Sequence, residues 1–221
     1  VDEAHQLPEL AAQFFGEGMS ARPLVELARD AIAECKDVPG ALPVLQVPAH
    51  ALEEATRALR TAMDGLPSRG TRYRALYEPA VEDALHALDD ALLHLRDALG
   101  PLREASPGFD SCHARAQAFI TRLRRWNDGS AAADSMFDDE VPVEHADAPP
   151  LDEGVLWYEL TPRGFRLQRT PLDVSAPLRA HREASGAAWI FTSATLAVDG
   201  HFDHIAERLG IEAPQTLLTP S

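Results

Sequence analysis

Val81, Leu85, Leu88, Leu92, Leu95, Leu99 and Leu102 are separated by 4, 3, 4, 3, 4 and 3 residues. An apolar side chain every three and a half residues lays one stripe along a long helix, and a second helix has to cover it. Gly100-Pro101 predicts that the helix kinks or ends before the stripe does, so Leu102 is its weakest member. After the turn Ser106-Pro107-Gly108 comes a second stripe, Phe109, Cys112, Ala116, Phe119, Leu123 and Trp126, again spaced by 3 and 4. Two stripes joined by a few residues predict an antiparallel helical hairpin. Core packing explains these positions by itself; function would add only that a rigid hairpin can stand out from a body.

The same pattern predicts helices on either side. Ser20 is placed to cap a helix carrying Leu24, Leu27, Ala28, Ala31 and Ile32 on one face, with Pro23 in its first turn. Leu52, Ala55, Leu59 and Met63 predict a second helix from about Ala49 to Ala62. Gly65 to Gly70 reads as a loop on turn chemistry. Ahead of these, Leu7, Leu10, Phe14 and Phe15 form a short apolar helical stretch closed by Gly16.

Beyond Pro150 the period changes. Val155 to Leu160 and Phe165 to Arg169 flank Thr161-Pro162-Arg163-Gly164, which predicts a β-hairpin. Ser175 is placed to cap a helix running to about Glu183. Ala187 to Phe191 is an apolar run of strand length, and a last helix reads from His201 to Leu209, stopped by Gly210. Helix, strand, polar turn and helix in that order belong to an α/β layer. The expected organisation is therefore three parts: residues 1–19, a helical insertion over 20–150, and a return over 151–221.

Charge limits function. The formal net charge of −15 argues against a free-standing nucleic-acid binder, whose phosphate affinity comes from clustered cations. Between Asn127 and Glu153 nine acids occur with no Lys or Arg, so this stretch reads as a solvated linker or a contact for a basic partner. Lys36 is the only lysine. Two arginine-rich places stand against the background: Arg69, Arg72 and Arg74 with Tyr73 and Tyr77, and Arg122, Arg124 and Arg125 with Trp126. They mix phosphate-binding and base-stacking residue types, although exposed helical charge explains them better than DNA contact does.

Two cysteines, Cys35 and Cys112, are too few for a disulfide framework or a four-thiolate site and point to reduced, buried thiols in the cytoplasm. No run approaches the length of a membrane span. Val1-Asp2-Glu3 does not resemble a signal peptide and reads as a cut inside a larger protein. His201 and His204 lack a third ligand, and His86 and His94 sit off the leucine seam, so no histidine metal site is expected.

Asp2-Glu3-Ala4-His5 and Ser193-Ala194-Thr195 carry the chemistry. An aspartate at a strand end can hold the Mg²⁺ of a nucleoside triphosphate, and a neighbouring carboxylate can deprotonate the attacking water. Ser-Ala-Thr follows an apolar strand-like run and precedes a helix. In this order the two motifs resemble motifs II and III of superfamily 2 helicases. Their separation of 191 residues, filled by helix, resembles the XPD-like helicases, which carry a helical insertion called the Arch there. DEAHQLPELAAQFFG at the start and WIFTSATLAVDGHFDHIAERLG near the end are similar to the bacterial DinG branch. Thr170-Pro171-Leu172-Asp173-Val174-Ser175 is similar to the return from the Arch, and Thr219-Pro220-Ser221 to the approach to the second motor domain.

The resemblance implies a mainly α fold: a helical Arch with long antiparallel helices and a β-hairpin, flanked by pieces of a RecA-like α/β motor domain. It implies an ATP-dependent DNA helicase working 5′ to 3′ in repair or replication, with ATP, Mg²⁺ and single-stranded or forked DNA as its ligands. Asp2 would hold Mg²⁺ through water, Glu3 would activate water, His5 would link the nucleotide to the DNA, and Ser193 and Thr195 would transmit ATP state. The six arginines Arg69, Arg72, Arg74, Arg122, Arg124 and Arg125 are the expected DNA contacts. No Gly-Lys-Thr phosphate loop, iron–sulfur ligand set or arginine finger occurs in these residues, so the 4Fe-4S cluster the family implies would be held elsewhere and the segment should not turn over ATP alone. The rival reading is a non-enzymatic helical module that binds a replication or repair protein.

Overall fold

The computed structural model describes residues 1–128, 154–198, 200–212 and 214–217. The acidic stretch beyond Asp128 and the final Thr219-Pro220-Ser221 lie outside the described residues. The architecture is mainly α with one small antiparallel sheet. The chain falls into two compact units; the described residues of the second are 17–128 and 156–169, and those of the first are the remainder.

In the second unit four helices carry the core: α2 (Ala21–Glu34), α3 (Ala41–Ala62), α5 (Pro79–Leu99) and α6 (Pro107–Asp128), with the short α4 (Arg72–Leu76) between α3 and α5. The leucine seam of α5 is buried from Val81 through Leu99, each residue at most 1% exposed. Burying a leucine side chain fully contributes about 2 kcal/mol, so these six positions dominate the local energetics. Helix α5 stops at Leu99 and continues as a 3₁₀ stretch, Gly100–Ala105, which leaves Leu102 only partly buried, as Gly100-Pro101 requires. The second stripe is buried on α6 from Phe109 to Trp126.

The expected hairpin is present but it is half of a larger object. Helix α5 packs on α3 as well as α6, α3 packs on α2, and α2 packs on α6, so the four helices close into a ring around one core. Three polar contacts flank the seam between α6 and α5 with its 3₁₀ continuation: Arg103 to Asp110 at 2.7 Å, Arg96 to Gln117 at 3.2 Å, and Arg124 to Asp89 through two nitrogens at 2.9–3.2 Å. Each rung lies seven residues from the last on both sides and in opposite directions, which is the signature of an antiparallel heptad pair.

Helix α3 begins at Ala41, eight residues before the expected start at Ala49. Pro43 and Pro48 argue against helix there, and Pro48 does lie inside it. Burial decides the outcome. Ala41, Leu45, Ala49 and Leu52 lie on one covered face, and the fully buried Leu45 helps offset the ~3 kcal/mol that an interior proline costs.

The β-hairpin of β3 (Gly154–Thr161) and β4 (Gly164–Pro171) forms where expected, but within a four-stranded sheet of order β1-β4-β3-β2. Strand β1 (Glu17–Ser20) leads into α2 and runs antiparallel to β4; β2 (Arg69–Thr71) runs antiparallel to β3. Both were too short for a periodic signal, and β2 takes up the end of what reads as a Gly65–Gly70 loop. Ser20 precedes α2 as expected but makes no side-chain cap.

The first unit contains α1 (Leu7–Phe14), α7 (Ser175–Ser185) and α8 (Asp203–Arg208) around a small core of Ala11, Val174, Leu178 and Leu209. The apolar face expected on α1 is turned differently: Leu10 and Phe14 are exposed, while Pro8 and Ala11 are buried. Ser175 is the first residue of α7 rather than its cap; Val174 holds the cap position, and the Asp173 carboxylate before it accepts from the Ser175 N–H at 2.8 Å. Gly210 closes α8 at φ 63°, where a β-carbon would stand 2.3 Å from the Ser175 carbonyl oxygen. Arg179 and Arg182 donate to the carbonyls of Gly210 and Leu209, tying α7 to the end of α8.

Candidate functional site

Within the first unit, backbone hydrogen bonds join the two motifs. The Val1 amino group donates to the Ile190 carbonyl at 2.6 Å, Thr192 N–H to Val1 at 2.9 Å, and Ala4 N–H to Thr192 at 3.0 Å. Donation passes back and forth between the two segments as in a parallel strand pair. Neither segment is a strand, which corrects the expectation for Ala187–Phe191. A central strand of an α/β sheet pairs on both sides, and among the described residues this run pairs with 1–4 alone; Ile190 is 73% exposed.

This pairing brings Asp2, Glu3, His5, Ser193 and Thr195 together, with Ser193 at the centre. Its Oγ lies 2.8 Å from His5 Nδ1, 3.3 Å from Glu3 Oε2 and 3.3 Å from Thr195 Oγ1, and it accepts from the Thr195 N–H at 3.2 Å. His5 Nδ1 also lies 3.2 Å from Glu3 Oε2. With the proton on Nδ1, His5 donates to Ser193 and Ser193 donates to Glu3.

Serine, histidine and glutamate in contact invite comparison with a hydrolytic triad, and the geometry rejects it. A triad needs the hydroxyl on one ring nitrogen and the acid on the other, so that the histidine can take the hydroxyl proton. Here both approach Nδ1. The arrangement joins the two motifs without activating a nucleophile.

Asp2 accepts from the Thr192 hydroxyl at 2.9 Å and from the Glu3 N–H at 3.0 Å. These two bonds, the Thr192 hydroxyl first, hold its carboxyl below the ordinary aspartate range and keep it anionic. Thr192 belongs to the site although the motif reading began one residue later; its position next to Ser193 was the available signal. Glu3 has φ 52° and ψ 41°, left-handed backbone that no other non-glycine described residue adopts. Such strain costs about 1–3 kcal/mol and gathers where function holds a side chain in place.

Asp2 supplies an anionic oxygen suited to a hydrated Mg²⁺, which binds through one or two carboxylates and keeps several waters. Among the described residues no group of three or more His, Cys, Asp and Glu could form a complete metal site. Cys35 and Cys112 are buried, and burial pushes both thiols up, so they fit structural roles and not iron–sulfur ligands. No helix among the described residues is long and apolar enough to cross a membrane.

The six arginines lie in the second unit and separate into two kinds. Arg124 forks onto Asp89, Arg125 reaches Glu17 at 3.0 Å, and Arg72 donates to the Asn127 carbonyl. Arg69, Arg74 and Arg122 are exposed. The two sequence clusters meet: Arg72 binds α6 at Asn127, and the neighbouring Trp126 donates through Nε1 to the Trp157 carbonyl at 3.2 Å, while Arg69 lies 4.0 Å over the Trp157 ring. That convergence across β2, α4 and α6 has no counterpart in sequence spacing.

No protein-family model matches the chain. It is 32% identical over 224 residues to the protein named ATP-dependent DNA helicase YoaA of Escherichia coli strain K12, an alignment covering 100% of this chain and 31% of that protein. It is also 32% identical over 224 residues to the protein of the same name from Haemophilus influenzae, covering 98% of the chain and 31% of the relative. The chain thus spans about a third of the length of these relatives.

Proposed function

The chain belongs to the XPD-like DNA helicases of the DinG and YoaA type, and from that membership we propose that it supplies part of the ATP site and the Arch of a 5′-to-3′ DNA helicase. The observation that carries the reading is the Ser193 hydroxyl in contact with both His5 and Glu3. It gives the two motifs, far apart in sequence, a direct physical link through which hydrolysis can be felt along the DNA path.

In this reading Asp2, held anionic, carries the Mg²⁺ of ATP, which when bound neutralises phosphate charge. Glu3 takes the proton of the attacking water. His5 reports the state of Glu3 to Ser193, and Ser193 and Thr195 pass it on. The unit of residues 1–16 and 170–221 belongs to the first motor domain, and the helical unit, into which β1 and the β3–β4 hairpin fold, is the Arch, which helps confine single-stranded DNA. Exposed Arg69, Arg74 and Arg122 are the arginines most open to phosphate, with Arg72, Arg124 and Arg125 holding the surface that presents them. The phosphate loop, the arginine finger and the ligands of a 4Fe-4S cluster fall to parts of the protein beyond these residues.

Glu3→Gln in the complete helicase tests the reading. It keeps shape and removes the base, so ATP turnover is expected to fall ~10²-fold or more with nucleotide binding retained. Turnover near the unmodified rate would remove Glu3 from the mechanism.

A further inference from the structure

Residues 69–77 hold three arginines and two tyrosines without one acid, in a chain of net charge −15. Their structure explains how they are displayed. Strand β2 is an edge of the sheet. Gly70 pairs with Tyr158, and a β-carbon at Gly70 would stand 2.6 Å from the Tyr158 hydroxyl oxygen, so glycine there lets the buried Tyr158 pass beneath the strand. Side chains alternate across a sheet, so Arg69 and Trp157 occupy the opposite face, where the guanidinium stacks on the indole at 4.0 Å. Thr71 caps α4 by accepting from the Arg74 N–H at 3.4 Å, and Arg72 anchors the helix to the Asn127 carbonyl. Tyr73 and Tyr77, one helical turn apart, are left 81% and 78% exposed.

Two tyrosines exposed to that degree, on an element fixed at its N-terminal end by Thr71 and Arg72, are held out for contact. Tyrosine and arginine serve protein interfaces as well as nucleic-acid ones, and charge decides between them: this stretch is purely cationic in a chain of net charge −15. Here Ala75 is buried and Leu76 half-buried, and what faces solvent is aromatic and cationic. Glu159, opposite Arg69, is paired with Arg166. Aromatic faces interleaved with guanidinium groups match the chemistry of unpaired bases on a phosphate backbone.

We propose that Arg69, Tyr73, Arg74 and Tyr77 form a base-stacking platform for single-stranded nucleic acid. Bases stack on the two tyrosine rings, and the two arginines take the flanking phosphates. Arg72 is a positioning residue that fixes α4 on α6. The proposal rests on the DNA-helicase reading above and adds the surface that grips the strand.

Photocrosslinking of the complete helicase to a single-stranded oligonucleotide carrying 5-iododeoxyuridine, with mass-spectrometric mapping, tests the contact. Adducts are expected on Tyr73 or Tyr77. Tyr73→Ala with Tyr77→Ala should weaken oligothymidylate binding about tenfold or more, while the paired Tyr→Phe changes retain it, because stacking needs the ring and not the hydroxyl. Exposed positions tolerate these changes, and circular dichroism checks that the helices persist. Adducts confined to other residues, with affinity unchanged in the alanine pair, would leave the tyrosines to a protein partner and overturn the proposal. Absence of DNA binding by the unmodified helicase would instead overturn the helicase reading itself.

Discussion

The Nδ1 of His5 lies 2.8 Å from the Ser193 hydroxyl oxygen, a contact between residues 188 apart in the chain. Ser193 has one proton and several neighbours, so a change in the charge of Glu3 or His5 redirects its hydrogen bond. Ser193→Ala removes that relay and leaves Asp2 and Glu3 in place. The expected outcome in the complete helicase is DNA unwinding reduced far more than ATP turnover, measured side by side on forked substrate. Equal losses in both would place Ser193 in the hydrolytic step instead.

Glu3 offers a separate test because its backbone is strained at φ 52°. Glycine adopts that conformation without steric penalty, so Glu3→Gly should relieve about 1 kcal/mol of strain, against which stands glycine's larger entropy loss on folding, while removing the carboxylate. The chain is expected to melt at the same or a higher temperature as turnover in the complete helicase is lost. A clear drop in melting temperature would mean that the carboxylate stabilises the fold more than its backbone strains it.

What the sequence made legible was whatever repeats. The seam of Val81 to Leu99 and the stripe of Phe109 to Trp126 give a signal because many positions agree, and all of them are buried. The site motifs were legible for another reason: Asp2, Glu3, His5, Ser193 and Thr195 are residue types whose chemistry is shared with a known family. Features made by one or two residues were not visible. Strands β1 and β2 span four and three residues and exist because the β3–β4 hairpin offers them edges. The early start of α3 depends on a partner face that covers Leu45. The meeting of Arg72 with Asn127 is likewise a product of tertiary packing.

His113 on α6 makes stability depend on pH. Burial, and then the nearby Arg103 and Arg96, push its pKa below the ordinary histidine value, with Asp110 and Asp97 opposing. The folded state therefore takes up a proton less readily than the unfolded state. This contribution to stability is complete above about pH 6.5, and it is lost as pH falls through the lower folded-state pKa. Denaturation midpoints of the chain should fall on acidification across this window, and His113→Gln should flatten that fall. A wild-type and variant pair with parallel profiles would show that His113 is not the titrating group.

The α5–α6 pair allows the apolar seam and the polar rungs to be weighed against each other. Asp89 and Arg124 form the best-aligned rung, with the arginine fork on both carboxylate oxygens, and their side chains remain 22% and 39% exposed. Partly exposed ion pairs contribute roughly 0.2–1 kcal/mol. Leu92, fully buried in the seam, should cost about 3 kcal/mol when cut to alanine, and more as Leu92→Asp, which buries a carboxylate without a partner. The expectation is that Asp89→Ala and Arg124→Ala couple by under about 1 kcal/mol in a double-mutant cycle, read from urea denaturation followed by helical circular dichroism, while Leu92→Ala shifts the midpoint severalfold more. The rungs then fix register and direction, and the leucines hold the helices together. A coupling larger than the Leu92→Ala effect would reverse that assignment and make the heptad ladder of charges the main bond between the two helices.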